Sequence, residues 1–336
     1  MVRTSGTATA LESLNLHSRG HLLDVSENAF GTLEDSSALL GDVAALRERM
    51  QEDGYLFIRG YHNRDEVIKA RKVLTDRLAE DGFLDSSEPS LEAVIAPKLK
   101  IMNSKSAFRP PTEDEDGKPV SIKAYNADDL TKSNAPLRDL FYGERQLGFF
   151  EKFLGGAIRH YNYIWFRVVS PGMGTAPHCD WVYMSRGTSN LFTSWIPIGD
   201  TPMSVGGLMI LENSHRKAEK IANYLNRDVD TYCTNRGNAK AIESGEKMYE
   251  WDGLLSKNPV TLREKLGGRW LTADFEAGDI LIFTMRTVHA SLDNNSNRIR
   301  LSGDSRYQLA SEPADERYIV ENPVPFDLQF KRGRVC

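Results

Sequence analysis

Residues 278–291 read GDILIFTMRTVHAS. The run opens on Gly278 and Asp279, continues through Ile280, Leu281, Ile282 and Phe283, and carries His289 near its end. Branched and aromatic residues in a short stretch bounded by turn formers predict a strand. The same texture recurs in YNYIWFRVV (161–169), LFTSWIPI (191–198), GGLMIL (206–211) and RIRLSGDSRYQ (298–308), separated by Gly, Pro, Asn and Asp. Several short strands of this kind predict an antiparallel barrel or jelly roll over residues 156–312. The stretch 216–275 interrupts them with helical pieces, Lys217 to Leu225 and Thr261 to Leu266. It is too long for a hairpin connection and reads as an insertion packed over one end of the barrel.

Upstream, the texture is helical. Asp42 is a candidate N-cap before Val43, Leu46 and Met50, which share one helical face. A strand is expected at Tyr55 to Ile58, between Gly54 and Gly60. Val67, Ala70, Leu74 and Leu78 line a second helix ending by Gly82, and Pro136 opens a longer one carrying Leu137, Leu140, Phe141, Phe150 and Leu154 up to Gly155-Gly156. The acidic, Pro-rich RPPTEDEDGKP (109–119) has no periodicity and predicts an exposed, mobile loop. Residues 1–30, rich in Ser, Thr and Gly, read as a tail or loosely docked arm. With no repeat and no clean linker, residues 31–336 are expected to form one domain, its N-terminal helices spanning 40–155.

The 336 residues carry 42 Lys+Arg against 47 Asp+Glu, a net charge of −5, with 40% hydrophobic and 26% charged residues. This is ordinary globular composition. The absence of a cationic excess argues against a nucleic-acid binder, since phosphate affinity comes from positive charge. No run approaches the ~20 apolar residues of a membrane span, and the start lacks a basic segment followed by a hydrophobic one. Three cysteines, Cys179, Cys233 and Cys336, form no C-x-x-C pair. Neither a disulfide framework nor a structural zinc site is indicated, and a reducing cytoplasm is expected.

The chemistry concentrates at Pro177-His178-Cys179-Asp180, which follows a strand and the turn Pro171-Gly172-Met173-Gly174. In an extended segment i and i+2 face the same way, so His178 and Asp180 can present a nitrogen and an oxygen to one point while Cys179 faces the other way. His289 supplies a third ligand if its strand pairs beside the first. Two histidines and one carboxylate on one face of a metal leave the opposite positions open, as in non-haem Fe(II) oxygenases. Ser291 shares the face of His289, and after the turn Asp293-Asn294-Asn295 the chain returns through Arg298-Ile299-Arg300. A guanidinium there suits a dicarboxylate such as 2-oxoglutarate. Arg298 and Arg300 alternate, so periodicity alone does not choose between them; Arg298 lies nearer the turn. Trp165, Trp181, Tyr183 and Trp195 fit barrel core and substrate pocket equally.

In their order, these motifs resemble the phytanoyl-CoA dioxygenase family of Fe(II)/2-oxoglutarate oxygenases: H-C-D at His178 to Asp180, Gly206-Gly207-Leu208 leading to Asn213-Ser214-His215, G-D-x-x-x-F at Gly278 to Phe283, then His289, Ser291 and a downstream Arg. The resemblance runs from the segment near Asp42 to about Tyr307. It implies a mainly β fold with flanking helices and a double-stranded β-helix (jelly-roll, cupin-like) core. It also implies iron held by His178, Asp180 and His289, and 2-oxoglutarate held by Arg300 and Ser291, with Trp195 and Lys123 as further contacts. The reaction implied uses O2, converts 2-oxoglutarate to succinate and CO2, and hydroxylates an unactivated C–H bond of a small organic molecule. Asp180 argues against a halogenase, which needs the carboxylate position vacant. His215 is expected to be structural. Two other classes are weighed: a cupin-like metal enzyme that does not use 2-oxoglutarate, and a non-catalytic jelly-roll binding protein with a relic site.

Overall fold

The computed structural model describes residues 15–97, 99–101, 112–113, 119–120, 128–172, 174–229, 251 and 253–319. Lys123, Cys233 and Cys336 lie outside these, as does most of 109–119; the parts of that segment that are described include two short strands rather than loop alone. In chain order the strands are β1 (His17–Ser18), β2 (His21–Leu22), β3 (Phe30–Thr32), β4 (Tyr55–Ile58), β5 (Lys100–Ile101), β6 (Thr112–Glu113), β7 (Pro119–Val120), β8 (Ile158–His160), β9 (Trp165–Val169), β10 (Phe192–Pro197), β11 (Leu208–Leu211), β12 (Trp270–Thr272), β13 (Ile280–Thr284), β14 (His289–Ser291) and β15 (Arg300–Leu309). The helices used below are α1 (Val43–Asp53), α2 (Arg64–Glu80), α3 (Ala135–Tyr142), α4 (Glu144–Leu154) and α5 (Pro259–Leu266).

Two sheets face each other. The larger runs β4-β13-β10-β15-β8, with β9 also paired to β15; the smaller runs β14-β11-β12-β3. The arrangement is the jelly roll expected from the sequence, with the two sheets not closed into one barrel. Strand alternation sorts side chains between its faces. On the outer face of the larger sheet Leu56, Ile58, Ile196, Ile280, Ile282, Leu301 and Tyr307 pack against Val67, Leu74, Leu140, Phe141 and Phe150 of α2, α3 and α4. On the inner face Tyr55, Phe57, Trp195, Leu281 and Phe283 meet Leu208, Ile210 and Leu271 of the smaller sheet around Phe275. Phe275 is edge-on to Phe57 (5.4 Å between ring centres) and Trp195 (4.9 Å), a favoured aromatic geometry.

Asp42 caps α1 by accepting from the Ala45 N–H (3.1 Å), and Gly54 ends the helix with φ 78°. A Cβ at Gly54 would lie 2.3 Å from the His215 ring, so this turn requires glycine twice over. The long helix expected after Pro136 is two helices. Gly143 adopts an extended conformation (φ −74°, ψ 164°) between α3 and α4, and a Cβ there would sit 2.4 Å from the Asp139 carbonyl.

The N-terminal arm is docked rather than loose from residue 15 onward. Asp293 accepts from the Arg19 and Gly20 N–H groups (2.8 and 2.7 Å), Ser18 Oγ donates to the Ser291 carbonyl (2.8 Å), and β3 adds to the smaller sheet in parallel beside β12. The expected insertion is also not wholly outside the jelly roll: its end supplies β12, paired to β11. Its helical part lies over the outer face of the smaller sheet, where Leu262 and Leu266 of α5 join Met209, Leu211 and Trp270.

Candidate metal and cosubstrate site

The backbone around the H-x-D motif joins β14 directly. His178 N–H donates to the His289 carbonyl and His289 N–H to the His178 carbonyl, both at 3.0 Å, an antiparallel bridge that sets the two imidazoles side by side. Their ring centres are 4.1 Å apart. Cys179 is extended (φ −117°, ψ 144°), so Asp180 returns to the face of His178 as a short 3₁₀ turn begins. Cys179 points away and is fully buried, its Sγ directed at the Arg286 carbonyl (3.4 Å).

Ligand atoms of His178, Asp180 and His289 all lie within 4.8 Å of one another, and the three residues are buried. His178 Nδ1 faces the Ala176 carbonyl (2.8 Å) and His289 Nδ1 the Thr287 carbonyl (3.1 Å). A carbonyl only accepts, so each ring carries its proton on Nδ1 and turns the Nε2 lone pair inward. Asp180 Oδ1 lies 3.9 Å from His178 Nε2 and 3.6 Å from His289 Nε2. Burial pushes the His178 imidazole down to about 3 and lowers that of His289. Burial raises the Asp180 carboxyl, but Arg306, the two histidines and Thr193 outweigh it and hold the group well below the ordinary range. Two neutral imidazoles and one carboxylate are a donor set that fits a divalent first-row metal and leaves further coordination positions open.

β15 carries the second half of the site. Its register places Arg300, Ser302, Asp304, Arg306 and Gln308 on the inner face, opposite Val169, Arg167 and Trp165 of β9 and Trp195 and Thr193 of β10. Arg300 is 1% exposed. Its Nη1 donates to the Gly206 carbonyl, its Nε has no partner, and no carboxylate pairs with it among the described residues. Burial, with Arg167 adding repulsion, lowers its guanidinium to about 9. A buried arginine without an anion is costly, which makes this position fit a carboxylate ligand. Ser291 Oγ accepts from the Thr175 N–H (2.7 Å), and its own hydroxyl proton is left to donate. Trp195 lies in the inner core with a buried Nε1 that has no partner among the described residues. Arg298 differs from Arg300 in every respect: it is half exposed and paired with Glu92 at 2.8 Å.

Four residues escaped the sequence reading. Arg306 donates through Nη2 to Asp180 Oδ2 (2.7 Å) and through Nη1 to Asp304. Asp304 is also held by Arg167 Nε (2.9 Å), and Thr193 Oγ1 donates to Asp180 Oδ2 (2.5 Å). For Arg306 and Asp304 the signal was the alternation R-x-S-x-D-x-R-x-Q in residues 300–308, with charged or polar residues on one face and apolar or small ones on the other. His215 is structural, as expected, with Nε2 against the Gln51 carbonyl (3.1 Å). Among the aromatics, Trp195 is inner core, Trp165 lies under Arg306 (4.2 Å) and Tyr183 is edge-on to His178 (5.9 Å).

A jelly roll presenting two imidazoles and a carboxylate beside a buried arginine defines a mononuclear metalloenzyme of the facial-triad class. Residues 50–302 match the family model described as Phytanoyl-CoA dioxygenase (PhyH), and the chain belongs to that family. It is an oxygenase of the iron(II)/2-oxoglutarate class. It is similar to the 1-deoxypentalenic acid 11-beta-hydroxylase of Streptomyces exfoliatus, 24% identical over 288 residues, covering 82% of this chain and 85% of that protein. Among solved structures it is similar to the alpha ketoglutarate dependent carbocyclase SnoK from nogalamycin biosynthesis, 17% identical with a TM-score of 0.51, covering 85% of this chain and 94% of that one. The epimerase SnoN, solved with Fe3+, alpha ketoglutarate and nogalamycin RO, is 19% identical with a TM-score of 0.49, covering 85% and 88%. The likeness to SnoK concerns the fold alone. Among the described residues no helix is long and apolar enough to cross a membrane.

Proposed function

We propose that this enzyme hydroxylates an unactivated C–H bond of a small organic substrate, consuming O2 and 2-oxoglutarate and releasing succinate and CO2. One oxygen atom enters the alcohol and the other the succinate, so the reaction balances without a further reductant. His178 Nε2, His289 Nε2 and Asp180 Oδ1 would hold the iron, which supplies the redox chemistry when bound. Arg300 would take the distal carboxylate of 2-oxoglutarate, with Ser291 Oγ and Trp195 Nε1 as further donors beside it. The observation that carries this reading is Arg300, buried without an anionic partner among the described residues, in the interior between the sheets that also holds the three-residue donor set. A cupin-like enzyme working without 2-oxoglutarate leaves that guanidinium without purpose, and a relic binding site leaves both the triad and its paired Nδ1 contacts without purpose.

The chain's own residues do the orienting. The Nδ1 contacts fix both imidazole tautomers, Arg306 and Thr193 fix the carboxylate, and the apolar wall of Phe283 and Trp195 excludes water from the reacting centre. Anaerobic loading should give about one equivalent of Fe(II), lost in His178→Ala and in His289→Ala. Calorimetry on the loaded protein should then detect 2-oxoglutarate, and with O2 admitted, slow formation of succinate without added substrate. Unchanged iron content in both variants, or no 2-oxoglutarate binding, overturns the proposal.

A further inference from the structure

The inner faces of β9 and β15 hold three guanidiniums, Arg167, Arg300 and Arg306, against two carboxylates, Asp180 and Asp304. Each carboxylate already serves two neighbours: Asp304 binds Arg167 and Arg306, while Asp180 binds Arg306 and faces the histidine pair. Adding Fe(II) and 2-oxoglutarate changes nothing in this balance, because a dication and a dianion cancel. The interior therefore keeps one positive charge in excess among its described residues, and a buried excess charge is stabilised by a partner of opposite sign.

The arginines are not equally available for that partner. Arg306 is enclosed by Asp180, Asp304 and the Trp165 ring, and Arg300 lies at depth against the Gly206 carbonyl. Among the described residues Arg167 is engaged only through Nε, to Asp304 Oδ1 at 2.9 Å, and its side chain is 23% exposed. Both Nη groups make no hydrogen bond among the described residues, so the outer edge of the fork is free. Its neighbours on the inner face of β9, Trp165 and Val169, are likewise half-buried, whereas β15 opposite is almost wholly buried. All five residues of β9 are half-buried, so the Arg167 fork reaches solvent along this strand.

The geometry points to Arg167 as the binding group for a monocarboxylate on the substrate, held by its two Nη groups. The inference rests on the reading of the site as a 2-oxoglutarate oxygenase. A carboxylate matches the planar edge with two parallel hydrogen bonds and carries the single negative charge that the site lacks; a phosphate dianion would exceed it. The aromatic rings of Trp165 and Tyr163, 4.7 Å apart, give the body of such an acid an apolar wall.

The test uses the full chain loaded anaerobically with Mn(II) and saturating 2-oxoglutarate. The probes are cyclohexanecarboxylic, decanoic and adamantanecarboxylic acids, each paired with its methyl ester, with affinity read by calorimetry. At least one acid should bind about tenfold or more tighter than its ester, the scale of a charge-assisted pair. In Arg167→Gln that preference should fall below about threefold, and Arg167→Lys should recover part of it. An acid-to-ester ratio isolates the carboxylate contact from any general loosening caused by losing the Asp304 pair. No acid outbinding its ester, whether both bind or neither does, overturns the inference, as does a preference that survives in Arg167→Gln. A loss of 2-oxoglutarate affinity beyond about tenfold in Arg167→Gln assigns Arg167 to the cosubstrate instead and overturns it too. Failure of the wild-type protein to bind 2-oxoglutarate is a separate result, which overturns the proposed function beneath it.

Discussion

Arg306 Nη2 lies 2.7 Å from Asp180 Oδ2, both groups buried, and Thr193 Oγ1 reaches the same oxygen at 2.5 Å. Oδ2 is therefore occupied twice, while Oδ1 is the oxygen turned towards the two histidines. The carboxylate is presented to a metal through one oxygen. Behind it the charges alternate through Arg306, Asp304 and Arg167, so each ion of this chain of four has an opposite neighbour. Removing one member of such a set leaves an uncompensated charge and costs ~3–5 kcal/mol. Arg306→Met should lower the denaturant midpoint of the metal-free protein accordingly. A loss below ~1 kcal/mol would mean the pairs are worth no more than surface ones.

Thr193→Val isolates orientation from charge, since it deletes a neutral donor and keeps the shape. Partners of metal ligands are typically worth roughly 10- to 100-fold in metal affinity. Because Arg306 still holds Oδ2, the lower end is expected: Fe(II) affinity about tenfold weaker, measured by competition with a chelator. Unaltered affinity would show that Arg306 alone orients Asp180.

His178, Asp180 and His289 were legible because a two-residue spacing and a β-rich run around a histidine carry geometry in themselves. Arg306, Asp304 and Arg167 were not, because a charged residue on a strand reads as solvated unless the opposite sheet is known to cover it. The same blindness applies to Trp195: its inner-face position follows from pairing with Leu281 and Asp304, which no local pattern reveals. The break at Gly143 was hidden by apolar residues that keep a helical period on both sides. The docking of Arg19 and Gly20 depends on Asp293, over 270 positions away in the chain, and long-range pairing of that kind leaves no mark on a Ser/Thr-rich segment.

Stability below neutral pH should respond to His62. It is 4% exposed, and burial, with Arg145 adding repulsion against a weaker opposing contact from Gln146, lowers its imidazole to about 4. An unfolded chain protonates the same ring near pH 6.5. Between about 6.5 and 4 the unfolded state therefore binds the extra proton, and stability is lost as pH falls through that window. Each pH unit across the window costs at most ~1.4 kcal/mol, so the loss approaches ~3 kcal/mol by pH 4. His62→Gln should flatten the wild-type curve across this window, as read from urea midpoints. Parallel curves for the two proteins would place the acid sensitivity in other groups.

The two arginines of Arg298-Ile299-Arg300 offer a comparison two residues apart, Arg300 at the start of β15 and Arg298 just before it. Arg300 is enclosed, its Nε unpartnered among the described residues, and its fork fits a distal carboxylate through two parallel bonds; lysine in its place offers a point charge. Arg300→Lys should weaken 2-oxoglutarate binding by ~1.5–3 kcal/mol, the range for hydrogen bonds to charged groups. Arg298 is half exposed and spends its charge on an equally exposed Glu92, a pair that solvent and salt screen. Arg298→Lys should therefore leave 2-oxoglutarate affinity within ~0.5 kcal/mol of wild type. Calorimetric titration of both iron-loaded variants under anaerobic conditions decides between them. A large loss in Arg298→Lys with normal binding in Arg300→Lys would reverse the assignment, and equally small effects in both would remove the reason for placing 2-oxoglutarate beside β15.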